Sequence, residues 1–228
     1  MDRNELARVA HAMVAPGKGL LAADESSSTI KKRFDTIGVE STEANRRDYR
    51  EFLFRTGDAM KGHISGVILY DETIRQKAKD GTPLVNLIEQ AGALPGIKVD
   101  AGAKPLAQCP GETITEGLDG LRDRLIEYRG LGAKFAKWRA VIDIGRGIPT
   151  FTAIQTNAHA LARYAALCQE QDIVPIVEPE VLMDGDHDID TCANVTEWTL
   201  KEVFTALFNQ KVELEGIVLK PNMVISGA

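Results

Sequence analysis

Lys220 closes the short apolar run Ile217-Val-Leu219, and Pro221 follows it at once. A continuous apolar run of this kind reads as a buried parallel strand. A lysine at its carboxyl end must be paired there or shed its proton, and a neutral lysine amine is a nucleophile for carbonyl carbon. Similar charges close other apolar runs: Asp24, Lys98 with Asp100, Lys137 with Arg139, and Glu178 with Glu180. Side chains two apart on a strand share a face, so Lys137 and Arg139 point together, as do Glu178 and Glu180. If those faces converge, Asp24, Glu178 and Glu180 meet Lys98, Lys137, Arg139 and Lys220, three anions against four cations. Neighbouring cations lower a lysine pKa, a nearby carboxylate can act as general acid and base, and a slight cationic excess suits an anionic substrate. Any one of these charges could equally be a solvated strand end or half of an internal salt bridge. Their recurrence above apolar runs on five strands favours a site.

The elements that must position these residues alternate. A helix over 2–14 precedes a strand at 19–23, and the serines and Thr29 can cap a helix over 30–37. A polar helix over 42–54, a strand at 65–70, a helix over 83–91 and a strand at 96–100 follow. Residues 104–117 form an irregular excursion, after which Asp119 caps a helix to about 131. A strand at 133–140, a helix over 154–171, a strand at 173–180, a helix over 191–208 and a strand at 216–220 complete the chain. Strand centres recur every ~40 residues with helices between them, which implies βαβ units and a parallel sheet. A doubly wound sheet serves its ligand from one switch point, whereas a (β/α)8 barrel draws catalytic groups from the carboxyl ends of many strands. The scattered charges favour the barrel.

The composition narrows the class. The 228 residues are 44% hydrophobic, enough for a sizeable core, and a net charge of -6 argues against a nucleic-acid or anionic-membrane partner. Met1-Asp-Arg-Asn-Glu-Leu6 lacks the apolar core of a secretory signal, and no run approaches the ~18 residues of a membrane span. Cys109, Cys168 and Cys192 are widely spaced and odd in number, which fits packed thiols in a reducing cytoplasm. Gly17-Lys18-Gly19 lacks the spacing of a phosphate-binding loop. Asp184, Asp186, Asp188 and Asp190 alternate as in a calcium loop, but Ile189 and Val195 stand where that loop needs Gly and Glu. His11, His63, His159 and His187 have no paired metal-ligand spacing. Neither a metal nor another cofactor is expected.

The motifs Leu21-Ala-Ala-Asp-Glu-Ser26, Gly66-Val-Ile-Leu69, Gly96-Ile-Lys-Val-Asp100, Phe135-Ala-Lys-Trp-Arg139, Ile173-Val-Pro-Ile-Val-Glu-Pro-Glu180, Asp184-Gly-Asp-His-Asp188 and Leu219-Lys-Pro-Asn-Met223 resemble those of class I fructose-bisphosphate aldolase, in order and nearly in register. The resemblance implies a (β/α)8 TIM barrel, a metal-free Schiff-base mechanism, a sugar-phosphate substrate, a place in glycolysis and a homotetramer. It makes Lys220 the Schiff-base lysine, Glu178 the acid/base for carbinolamine dehydration, and Asp24 the carboxylate near the cleaved bond. Lys137 and Arg139 become cations that steady developing charge, and Glu180 a second carboxylate shaping lysine ionisation. Ser26, Arg33 and Lys98 become part of the site for the phosphate remote from the ketone.

Two departures from the family pattern stand out. Ser28-Thr29 replaces a small Gly-Ser pair in the loop after Asp-Glu-Ser. The family also continues past this point with strands that carry the ketone-end phosphate site and with a tail ending in a functional tyrosine. Eight units of this size need on the order of 310 residues. Residues 1–228 are therefore expected to be one barrel domain carrying only the first six β/α units and truncated before the rest. Such a chain would hold the nucleophile yet bind fructose 1,6-bisphosphate poorly. A truncated non-catalytic protein, or a Schiff-base aldolase for another sugar phosphate, remains an alternative.

Overall fold

The computed structural model describes residues 1–228. Nine helices are present: α1 (Arg3–Met13), α2 (Ser27–Asp35), α3 (Glu43–Phe54), α4 (Gly57–His63), α5 (Asp71–Arg75), α6 (Leu84–Gln90), α7 (Leu121–Gly130), α8 (Phe151–Glu170) and α9 (Ile189–Asn209). The strands are β1 (Gly19–Ala23), β2 (Ile64–Leu69), β3 (Leu94–Lys98), β4 (Ala103–Pro105), β5 (Thr113–Thr115), β6 (Phe135–Ile142), β7 (Val174–Val181) and β8 (Val218–Leu219). Six of them form one sheet in the order β1-β2-β3-β6-β7-β8, every pair parallel. This is an α/β fold built on a curled parallel half-barrel.

The curl follows from one contact. Neighbouring strands lie ~4.8 Å apart, so in a flat sheet β1 and β6, three steps apart, would be separated by about 14 Å. Lys137 on β6 instead bonds Asp24 at the end of β1, which requires the sheet to bend around its inner face.

That inner face is graded from apolar to charged by the two-residue strand period. On β6 the row runs Phe135, Lys137, Arg139; on β7 it runs Val174, Ile176, Glu178, Glu180; on β8 it begins at Val218 and continues to Lys220 just past the strand. The amino-terminal members pack with Leu6, Val9, Ala10 and Met13 of α1, which covers that end of the sheet. The Phe135 ring fills the space over Gly66 and Gly96, where an added Cβ would collide with it. The opposite face carries Ala136, Trp138 and Val177, which join Leu161, Tyr164 and Ala165 of α8 in the main core. Charge on the inner face is therefore confined to the carboxyl end.

Several boundaries differ from the sequence reading. β3 begins and ends two residues earlier than expected, with Lys98 its last residue and Asp100 beyond it. Ser26, rather than the later serines, caps α2, accepting from the Thr29 amide at 3.3 Å. Gly120, in the left-handed region at φ 67°, stands before α7 where Asp119 was expected to cap it. The short helices α4 and α5 carry too few turns to show a periodic pattern. The excursion over 104–117 contains an antiparallel hairpin, β4 with β5. It is pinned to the start of α8 by Glu112, whose carboxylate accepts from the Thr150 amide at 2.6 Å and hydroxyl at 2.7 Å. The acidic run over 184–190 supplies the α9 cap, Asp188 accepting from the Thr191 amide at 2.8 Å.

Candidate active site

The carboxyl ends of the strands bring the expected charges together as pairs. Lys137 Nζ lies 3.0 Å from Asp24 Oδ2, with both side chains largely buried. Lys220 Nζ donates to Glu178 Oε1, and Arg139 Nε donates to Glu180 Oε2. Lys98 Nζ sits 3.2 Å from Asp100 Oδ1. Each cation thus has its own carboxylate.

Asp100 removes the expected cationic excess: the mouth holds four cations and four anions. Its side chain is 3% exposed, and Oδ1 also accepts from the Gly102 amide at 3.1 Å. The sequence sets it two residues after Lys98, but the pairing depends on β3 ending at Lys98. An incoming anion must therefore recruit cations that already have partners.

The ionisation of Lys137 reflects two opposed effects. Burial pulls its pKa down, but the charges of Asp24 and Glu178, the hydrogen bond to Asp24 and the charge of Asp100 raise it above the ordinary lysine value. Lys137 is therefore a fixed cation at neutral pH. Glu178 is 2% exposed, and its second oxygen, Oε2, has no hydrogen-bond partner. One oxygen holds Lys220, and the other is buried without a partner.

Lys220 corrects one expectation. β8 pairs only with β7, leaving its other side open, and the Lys220 side chain is 58% exposed. The run before it is half-buried, not buried. The specific neighbour of Lys220 is Glu178.

The residues expected to hold the remote phosphate are less convergent. Ser26 Oγ lies 3.0 Å from both Ser28 Oγ and Thr29 Oγ1, so the two residues that depart from the family pattern form a hydroxyl cluster with it at the start of α2. Arg33 turns back to Glu25, and Lys98 turns to Asp100. Glu25 is 6% exposed in its side chain and also faces Arg50, which is fully buried. Neither Glu25 nor Arg50 was read from the sequence as part of a site. Arg50 lies in a largely polar helix among Arg46, Arg47, Asp48 and Glu51, where a single buried guanidinium leaves no periodic mark.

No cluster of three or more His, Cys, Asp or Glu side chains is arranged to hold a metal ion, and no helix is long and apolar enough to cross a membrane. The parallel half-barrel thus sets one lysine against a buried carboxylate, beside a second lysine–carboxylate pair. A family model described as "Fructose-bisphosphate aldolase class-I" matches residues 5–228. The chain belongs to the class I fructose-bisphosphate aldolase family.

Its relatives agree. The chain is 64% identical over 227 residues to a protein of Xanthomonas campestris named "Probable fructose-bisphosphate aldolase class 1", covering 100% of this chain and 68% of that one. It is 53% identical over 225 residues to the fructose-bisphosphate aldolase of Drosophila melanogaster, covering 99% of this chain and 62% of that one. The fructose-bisphosphate aldolase of Plasmodium falciparum, solved in a ternary complex with TRAP and a small-molecule inhibitor, superposes with a TM-score of 0.96 at 50% identity. That match covers 98% of this chain and 65% of that one. The chain thus spans roughly two thirds of the length of these relatives.

Proposed function

We propose that this chain carries the Schiff-base machinery for reversible aldol cleavage of fructose 1,6-bisphosphate to dihydroxyacetone phosphate and glyceraldehyde 3-phosphate. The observation that carries this reading is the Lys220–Glu178 pair beside the Asp24–Lys137 pair at the strand carboxyl ends. Lys220 passes a proton to Glu178 and attacks the C2 ketone. A second amine proton moves to the new alkoxide to give the carbinolamine, and Glu178 returns the first proton to its hydroxyl, which leaves as water. In the resulting iminium the C3–C4 bond breaks. The C4 hydroxyl proton passes to Asp24, and the electron pair of the bond moves toward the iminium nitrogen to give an enamine. Lys137 and Arg139 remain charged and stabilise the developing negative charge, an electrostatic contribution that is strongest where water is excluded. Glu180 holds Arg139 in place. Ser26, Lys98 and Arg33 take the remote phosphate once the latter two release Asp100 and Glu25.

In this reading the strands are the first six of a (β/α)8 barrel, and further strands would pair with β1 and β8, each of which has one neighbour here. The protein acts in the cytoplasm, in glycolysis, as a homotetramer like its family. The pairing of each mouth cation with its own carboxylate also favours a second reading, a binding protein that retains the motif without turnover.

The test is release of glyceraldehyde 3-phosphate from fructose 1,6-bisphosphate, compared with cleavage of fructose 1-phosphate. Cleavage that prefers the bisphosphate supports the proposal. A preference for the monophosphate points to another sugar-phosphate aldolase, and no cleavage of either favours the binding protein.

A further inference from the structure

Arg50 is the most completely buried charge in the molecule, with a side-chain exposure of 0%. It projects from α3 beneath the end of β1. Its hydrogen bonds go to backbone rather than to carboxylates: Nε donates to the Ala23 carbonyl at 3.3 Å and one terminal nitrogen donates to the Glu25 carbonyl at 2.9 Å. These carbonyls belong to the residues on either side of Asp24. The nearest carboxylates are farther away, Glu25 Oε2 at 3.6 Å and Glu72 Oε2 at 3.9 Å, and the other terminal nitrogen and Glu25 Oε2 have no hydrogen-bond partner. Buried ion pairs are often no more stabilising than well-packed apolar side chains of similar volume. An arginine that leaves its carboxylates imperfectly met while spanning two carbonyls is better explained by what those carbonyls hold.

We propose that Arg50 is a positioning residue for the bond-breaking step: by fixing the chain on both sides of Asp24, it aims that carboxylate at Lys137 and at the C4 hydroxyl. The inference rests on the aldol reading given above. The step served is the one in which the C3–C4 bond breaks, the hydroxyl proton goes to Asp24 and the electron pair forms the enamine. Formation of the Schiff base depends on Lys220 and Glu178, on strands that Arg50 does not touch. Arg50 should therefore separate the two steps. A lysine cannot replace it, because an ammonium is a point charge without the planar fork that reaches both carbonyls.

The test is a borohydride quench of the chain incubated with fructose 1,6-bisphosphate, followed by mass measurement of the Lys220 peptide. A six-carbon adduct reports a Schiff base that has not cleaved, and a three-carbon adduct one that has. For Arg50→Lys the expected result is total adduct within about twofold of the unmodified chain, with the six-carbon share raised ~10-fold or more. Asp24→Asn should show the same pattern, and combining the two substitutions should add nothing, because both remove one function. An unchanged six-carbon share overturns the proposal. So does a parallel fall of both adducts, including one caused by failure to fold, since Arg50 would then be merely structural. No adduct of either mass on the unmodified chain overturns the aldol reading itself, and this proposal with it.

Discussion

Lys137 Nζ and Asp24 Oδ2 meet at 3.0 Å although 113 residues separate them. The contact spans the inner face from β6 to the end of β1, over β2 and β3. Lys137 also feels the charge of Glu178, so it lies between the two carboxylates electrostatically.

Replacing Lys137 with Met should leave Asp24 buried without its partner and destabilise the chain by ~3 kcal/mol. The pH dependence follows from the raised pKa of Lys137 in the folded chain. A group whose pKa rises on folding stabilises fully below its unfolded value, and that stabilisation is lost as pH climbs through the folded value. Urea unfolding should therefore show a constant gap between the native chain and Lys137→Met at neutral pH. The gap should close above the ordinary lysine value of 10.5. A gap that does not close as the pH rises through that range would contradict the assignment.

Glu178→Gln keeps the shape of the side chain but removes its capacity to exchange a proton with Lys220. The rate of adduct formation on Lys220 should fall ~10²–10⁴-fold, the usual contribution of a positioned acid/base group. Circular dichroism should be unchanged. Adduct formation at the native rate would remove Glu178 from its role.

Gly96 faces the Phe135 ring, with no room for a Cβ. Gly96→Ala should overpack the inner face and cost ~1–3 kcal/mol in urea unfolding. The same substitution at Gly62, where an added Cβ meets nothing within 4 Å, should not destabilise the chain. Helix interiors favour Ala over Gly by ~1 kcal/mol.

In the proposed mechanism the iminium of Lys220 accepts the electrons of the broken bond, so no metal is required for that step. Prolonged treatment with EDTA should leave adduct formation and cleavage unchanged, measured against an untreated sample. Loss of activity that returns on adding zinc would contradict the lysine-based route.

Much of this arrangement was legible in the sequence because it obeys a strict period. Phe135, Lys137 and Arg139 alternate with Ala136 and Trp138, so one face had to be polar at its carboxyl end and the other apolar throughout. The residues Lys220, Glu178, Asp24 and Lys137 follow from that pattern together with the resemblance. Partnership was not legible. Nothing in the local sequence shows that Asp100 cancels the charge of Lys98, because the pairing depends on where β3 ends. Arg50 was hidden for a different reason: its partners are backbone carbonyls, which leave no signature in residue type. The exposure of Lys220 depends on the open side of β8, a property of sheet order rather than of the apolar run that precedes it.

The most direct measurement is borohydride trapping with dihydroxyacetone phosphate, followed by peptide mass mapping. The proposed mechanism predicts a reduced three-carbon adduct on Lys220, competed by fructose 1,6-bisphosphate and absent from Lys220→Met. No adduct in a chain shown to be folded, or an adduct on Lys137 instead, would contradict it.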